Sequence, residues 1–240
     1  MKIALIGYGK MGQTIEKVAL ERGHEIVARI STSNPIDNLD FDVVDVAIEF
    51  TAPHFAVQHI EACIRHSTPV VVGTTAWNEQ IDTVKEMVIS NSGSLLYASN
   101  FSVGVNIFFE INRKLAALMK ARPEYHCNLS EIHHTEKLDS PSGTAISLAN
   151  DIMFENPDIT SWVHEDNEPP ELKENQIGVT SYREKGVPGT HTVSYESEID
   201  SIEIKHVANN RKGFAIGAVI AAEWLKDKKG VFTMRDVIKL

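Results

Sequence analysis

Along the first hundred residues, short apolar runs alternate with stretches in which apolar positions recur every three or four residues. Lys2–Ile6, Glu25–Ile30, Val43–Phe50, Pro69–Val72 and Ser94–Ala98 have the length and composition of buried strands. Gln13–Arg22, Pro53–His66 and Asn78–Ser90 have helical spacing. Strand–helix alternation with short loops predicts a Rossmann-like, doubly wound parallel sheet, the α/β class. After Phe101 the pattern changes. An amphipathic stretch, Val103–Lys120, leads to a strand at Tyr125–His133, a helix from Gly143 and a polar loop over Asn156–Asn175. Strand candidates follow at Ile177–Arg183, Thr190–Tyr195 and Ser201–His206, with turn signals at Gly186 and Pro188-Gly189. This grammar predicts a second, smaller α+β domain. Gly213–Lys226 reads as a helix again.

The first strand runs into Gly7-Tyr8-Gly9-Lys10-Met11-Gly12, a GxGxxG that opens a helix. Each glycine has a mechanical reason. Gly7 allows the tight turn, Gly9 lets a pyrophosphate approach closely, and Gly12 permits close helix–strand packing. The position predicts a dinucleotide site. Gly73-Thr74-Thr75 and Ala98-Ser99-Asn100-Phe101 also follow predicted strands, so all three loops line one crevice. Phe50-Thr51-Ala52-Pro53 ends another strand at that edge, where Thr51 serves equally well as a helix cap. An NAD-selective site carries an acid about twenty residues after the glycines. Here the second strand ends Ala28-Arg29-Ile30-Ser31-Thr32-Ser33, without one. Hydroxyls at Ser31 and Thr32, helped by Lys10, suit a 2′-phosphate, which tilts the expectation toward NADPH or use of both cofactors.

A second concentration of chemistry lies at Glu131-Ile132-His133-His134-Thr135-Glu136-Lys137-Leu138-Asp139-Ser140-Pro141-Ser142-Gly143-Thr144. Imidazole exchanges protons near neutral pH. Lysine supplies a positive charge or a proton. Ser142, Gly143 and Thr144 open a helix, whose unpaired N–H groups are expected to form an anion site. Together they suit a small carboxylate. A solvated, capped loop is the bland alternative. A metal site built from His126, Cys127, His133 and His134 is not expected, because adjacent strand positions face opposite ways.

The formal net charge of −10 argues against nucleic acid or an anionic membrane as partner. It also means that an anionic cofactor and an anionic substrate depend on local donors such as Lys10, Lys137, Arg211 and helix starts. Cys63 and Cys127 have no metal or disulfide spacing, which fits a reducing cytoplasm and buried thiols. His24, His54, His59 and His66 read as ordinary polar residues on surface turns and helix ends. No targeting or membrane-spanning segment is expected, since the longest apolar stretch, Gly213–Leu225, is too short.

Glu131 to Thr144 matches E-x-H-H-x-x-K-x-D-x-P-S-G-T throughout, and the chain thereby resembles the dihydrodipicolinate reductases, the 4-hydroxy-tetrahydrodipicolinate reductases of lysine and diaminopimelate biosynthesis. Val72–Thr75, Ala98–Asn106, Asn210–Ala218 and Phe232–Val237 are similar to the same family, so the resemblance runs end to end. It implies a discontinuous dinucleotide-binding domain, residues 1–101 and 211–240, and a substrate-binding and oligomerisation domain, residues 102–210. It implies that NADPH or NADH delivers hydride to a cyclic dicarboxylate imine, with overall loss of water. His133 matches the family's acid/base position and Lys137 its proton-donor position. His134, Gly143 and Thr144 match substrate-binding positions, with Ser142 beside them and Arg211 as a further carboxylate contact. Cofactor contacts are expected from Gly7, Tyr8, Gly9, Lys10, Met11, Gly12, Ser31, Thr32, Gly73, Thr74, Thr75, Ala98, Ser99, Asn100 and Phe101. The resemblance also implies a homotetramer joined through the second-domain sheets. A related reductase with another small anionic substrate, or a redox-sensing regulator without turnover, stays open at this stage.

Overall fold

The computed structural model describes residues 1–210 and 212–239. The chain divides into two compact units, Met1–Val103 with Lys212–Leu240, and Gly104–Arg211. In the first unit the elements are β1 (Lys2–Ile6), α1 (Lys10–Glu21), β2 (Glu25–Ile30), β3 (Val46–Glu49), α2 (Pro53–Arg65), β4 (Val70–Val72), α3 (Ile81–Ser90) and β5 (Ser94–Tyr97). Its six-stranded sheet is parallel throughout, and a strand from the carboxy-terminal segment, Gly230–Phe232, completes it beside β5.

Alternation along β1 explains why this sheet is covered on both faces. Ile3 and Leu5 join Val46, Ile48, Val71 and Leu96 in a core sealed by Ile15, Val18 and Ala19 of α1 and by Ala215, Ala218 and Ala222 of a late helix. Ala4 and Ile6 point the other way, to Ala56 and Ile60 of α2 and Val84 and Val88 of α3. Strands buried on both faces must be continuously apolar, which is what the sequence pattern displays. The Rossmann-like expectation is borne out. β1 sits between β2 and β3, so the chain's winding reverses there and the carboxyl ends of β1, β3, β4 and β5 lie along one edge.

The second unit contains α4 (Val103–Met119), β6 (His126–His133), α5 (Gly143–Glu155), β7 (Ser161–Asp166), β8 (Gln176–Arg183), β9 (Thr190–Glu196) and β10 (Ser201–Val207). Its mixed sheet runs β10-β9-β6-β8-β7, with one face packed under α4 and α5. The chain then contributes α6 (Lys212–Leu225), β11 (Gly230–Phe232) and α7 (Met234–Ile238) to the first unit. β7 lies inside the stretch expected to be a polar loop. It is an edge strand, half-exposed and carrying His164, Glu165 and Asp166, so it lacks the apolar alternation of a core strand.

The covered face of this sheet changes character along its strands. Leu129 of β6 pairs in register with Val179 of β8 and Val193 of β9, and Val193 with Ile204 of β10. Two residues further along β6 the same face presents Glu131. Glu131 is in register with Ser181 and His191, His191 with His206, and Ser181 with Asp166 of β7. Residues two apart on a strand share a face. One row is therefore apolar on four strands, ending in His164 on edge strand β7, and the next is polar across all five.

Candidate active site

In the first unit, the loop after β1 is shaped by what it lies against. Gly7 has φ +98°, and a Cβ there would strike the carbonyl of Phe50 at the end of β3. A Cβ at Gly12 would strike the carbonyl of Gly7, whereas one at Gly9 would meet nothing within 4 Å. Two glycines thus bring loop and helix together, and the third faces open space. No side chain caps the start of α1. Its first amides together with the open Gly9 suit a dinucleotide pyrophosphate, both electrostatically and sterically.

Around this loop the expected contacts sort by what their side chains already do. Lys10, Thr32, Thr75 and Ser99 are exposed, and Met11, Gly73, Ala98 and Asn100 half-buried. Phe101 is buried in the core, so only its backbone remains for a ligand. Thr74 is buried as well; its hydroxyl accepts the Thr51 N–H at 2.8 Å. Thr51 does not cap α2, because its hydroxyl donates to Glu49, and Ala52 occupies the cap position. The Tyr8 hydroxyl is committed to Glu16, which also holds the Arg29 guanidinium. Arg29 in turn lies 5.7 Å from the centre of the Tyr8 ring. Ser31 closes a tight turn with Asn34, exchanging backbone bonds of 2.9 and 3.1 Å, and its hydroxyl meets that of Ser33 at 3.0 Å. His59 departs from the surface reading. It is buried, with Nδ1 3.4 Å from the fully buried Glu49.

In the second unit, β6 delivers Glu131 and His133 to the end of the polar row. Glu131 is completely buried. One carboxylate oxygen accepts the Ser142 N–H at 2.9 Å and the Ser181 hydroxyl at 2.8 Å. The other accepts the Ser142 hydroxyl and lies 3.3 Å from His191 Nε2 and 3.5 Å from His133 Nδ1. Burial works to protonate this carboxyl, but the donors from His191, Ser142 and Ser181 outweigh it and hold it at about 2. For His133 burial wins, and the imidazole is pushed down to about 4. Glu131 opposes that shift, while His191, Lys137 and Arg183 add to it. At neutral pH the pair is therefore a carboxylate and a neutral imidazole. The His133 and His191 rings meet edge to face, 5.0 Å apart.

Ser142 corrects one expectation. An unpaired N–H was expected there for a ligand, but the amide and hydroxyl are both spent on Glu131. Its Oγ also caps α5 by accepting the Ala145 N–H at 3.2 Å. Gly143 remains exposed, and a Cβ there would meet nothing within 4 Å. Thr144 and His134 are half-buried beside it in the sequence motif. Lys137 is ion-paired with Asp139 at 2.7 and 2.8 Å. Arg183, at the end of β8, donates to the carbonyls of Asp139 at 2.8 Å and Lys137 at 3.4 Å, so it ties the lysine turn to the sheet. Arg211 lies outside the described residues.

Three participants escaped the sequence reading: Ser181, Arg183 and His191. Nothing local marks them. Each reaches Glu131 or the lysine turn only through strand register, some fifty residues along the chain, as the 50 positions between Glu131 and Ser181 illustrate. His191 also bears on whether a metal could sit here, since ligand atoms of Glu131, His133 and His191 lie within 4.8 Å of one another. Both Glu131 oxygens, however, already accept hydrogen bonds from serines, which is the pattern of a structural carboxylate rather than an open ligand set. Cys63 and Cys127 are free and buried. No described helix is long and apolar enough to cross a membrane.

Comparison with known proteins covers both units. Residues 1–101 match the family model described as dihydrodipicolinate reductase, N-terminus, and residues 104–238 the one described as its C-terminus. A 4-hydroxy-tetrahydrodipicolinate reductase of Christiangramia forsetii is 48% identical over 238 residues, covering 99% of this chain and 98% of the relative. One from Thermosipho africanus is 33% identical, covering 100% and 98%. Among solved structures, a dipicolinate-bound dihydrodipicolinate reductase from Paenisporosarcina sp. TG-14 superposes with a TM-score of 0.78 at 24% identity, covering 99% of each chain. An amine dehydrogenase from Mycobacterium smegmatis shares the fold at a TM-score of 0.62 and 10% identity, covering 98% and 95%.

Proposed function

The chain belongs to the dihydrodipicolinate reductase family, and from that premise we propose how its residues serve the reduction of 4-hydroxy-tetrahydrodipicolinate to tetrahydrodipicolinate. The first unit, assigned to residues 1–101 and 211–240, holds a nicotinamide dinucleotide, with the pyrophosphate on the α1 amides around Gly9. When bound, the cofactor supplies hydride. The second unit, assigned to residues 102–210, receives the cyclic dicarboxylate. One substrate carboxylate lies on Gly143 and Thr144 at the start of α5, where the helix dipole favours it. Lys137 and His134 flank it, and Arg211 adds a further carboxylate contact.

Reduction of a C=N–C=C system places negative charge on the distal atom, and a proton must arrive there. His133, neutral at pH 7, is the acid/base group, and the Lys137 ammonium is the ready proton donor. The observation that carries this reading is the buried Glu131 clamp, which holds the α5 start against the strand bearing His133. Substrate entry costs Lys137 its partner Asp139 and gives it a carboxylate in exchange. NADPH oxidation at 340 nm, started with freshly made aldolase product, tests the reading. No turnover with either cofactor sinks it and leaves a redox-sensing regulator in its place.

Both cofactors fit the reading. Lys10, Ser31 and Thr32 suit a 2′-phosphate, and the Glu16–Arg29–Tyr8 cluster stands at the end of β2 where the acid of an NAD-selective site is missing. The same reading makes the protein a cytoplasmic homotetramer, supported by the sheet's edge strand β10 with its exposed Ile202 and Val207. Sedimentation equilibrium at working concentration distinguishes it from a monomer of 26.6 kDa.

A further inference from the structure

We infer that Glu131 is a positioning residue for the acid/base imidazole: it selects the His133 tautomer that carries its proton on Nδ1 and so keeps Nε2 bare as a proton acceptor, the proton of the reduction itself coming from Lys137. The inference rests on the proposed catalytic role of His133 but concerns a different residue.

The geometry leaves little choice. His133 Nδ1 is buried, lacks a hydrogen-bond partner among the described residues, and has the Glu131 carboxylate 3.5 Å away. An unprotonated Nδ1 would point a lone pair at a buried anion; a protonated one points an N–H at it. In a low-dielectric site that difference decides the tautomer. The neighbouring groups leave the carboxylate anionic. Ser142 gives its only hydroxyl proton to Glu131 while accepting from Ala145. His191 Nε2, 3.2 Å from that hydroxyl oxygen and 3.3 Å from the carboxylate, therefore acts as a donor and is N–H itself. Hence His191 presents a proton to Glu131 and cannot take one from it.

The charged and titratable groups facing His133 are Glu131 on its own strand, His191 on β9, Arg183 on β8 and Lys137 in the turn beyond β6. Of these only Glu131 attracts a proton to the ring. Gly189 packs beside the other ring nitrogen: a Cβ at that position would press on His133 Nε2 at 3.1 Å, so the glycine keeps a side chain off the nitrogen opposite the clamp. Glu131 also fixes the α5 start by gripping Ser142 twice, and a single carboxylate thus sets both the base and the carboxylate cradle.

The test is histidine nitrogen NMR on the full-length protein with ¹⁵N-labelled histidine at pH 7, the His133 signals being those lost in His133→Asn. The parent is expected to show Nδ1 protonated and Nε2 bare. In Glu131→Gln, which keeps the shape and loses the charge, the two forms should mix or invert. KM for the substrate and the dissociation constant of pyridine-2,6-dicarboxylate should rise about tenfold, and kcat should fall about a hundredfold, the scale of a lost acid/base function. A parent spectrum with Nε2 protonated overturns the proposal without any variant. A folded Glu131→Gln protein with an unchanged His133 spectrum overturns it too. Because the spectra need no substrate, an inactive parent would refute the proposed reaction while leaving the tautomer result to stand or fall alone.

Discussion

On the proposed reading, the two units differ in what supports their anion sites. At the first, the loop after β1 is made of backbone: Gly7 and Gly12 are pressed against carbonyls, Gly9 opens outward, and the donors are amides of α1. At the second, the proposed cradle at the start of α5 is held by a polar row in register across five strands, buried at Glu131, Ser181 and His191 and exposed at its Asp166 edge. A site of the first kind is insensitive to pH and intolerant of added atoms. A site of the second kind tolerates little change in charge. The difference teaches which perturbation reports on which unit.

The largest effect should come from the second unit. His133→Ala should lower kcat by about a hundredfold or more while leaving cofactor affinity within twofold; single-turnover kinetics with a cofactor-binding titration check both, and an unaltered kcat removes His133 from the mechanism. In the first unit, Gly9→Val should raise the cofactor dissociation constant at least tenfold, because it fills the space a pyrophosphate needs. Its melting temperature should hardly move, since nothing lies near its Cβ in the protein itself. Gly12→Ala is the contrast: it drives a Cβ into the Gly7 carbonyl and should destabilise the fold by about 1–3 kcal/mol. Equal losses of stability in the two variants would erase the distinction.

Acid should separate the units next. His133 is held at about 4 and Glu131 at about 2, both below their ordinary values of 6.5 and 4.5. In each case the unfolded chain binds protons more readily than the folded one, so stability is present at higher pH and lost as pH falls. The His133 contribution drains between 6.5 and 4, and that of Glu131 from 4.5 toward 2. Melting curves from pH 7 to 4 should therefore fall more steeply for the parent than for His133→Asn. Parallel curves would show that His133 is not a buried neutral imidazole. The smallest expected effect is cofactor choice: kcat/KM for NADPH and NADH should lie within about tenfold, and a larger preference for NADH would contradict the Ser31–Thr32 assignment.

The same contrast explains what could be read from the sequence. The glycine loop was legible because its parts are contiguous and its strand, turn and helix announce themselves by period. Glu131, His133, Lys137 and Ser142 were visible as a motif, yet the use of Ser142 was misjudged, because a residue type says nothing about which partner has already taken its hydrogen bonds. His191, Ser181 and Arg183 were hidden. Their meaning lies in register between strands far apart in the chain, and a one-residue slip would turn each to the opposite face. β7 and β11 were missed for a milder reason: short or half-exposed edge strands lack the alternation that marks a core strand.

The closing segment of the first unit has one more consequence. α6 seals one face of the parallel sheet and β11 supplies its last strand, yet both are encoded after the whole of the second unit. On the ribosome, domains tend to fold as they emerge, amino-terminal first. This chain reverses the order. The middle is synthesised complete while the beginning still waits for its end, with α1 but not α6 covering that side of its sheet. During synthesis, then, the younger half matures first, and the part of that face still uncovered in the older half is what a nascent-chain chaperone would meet.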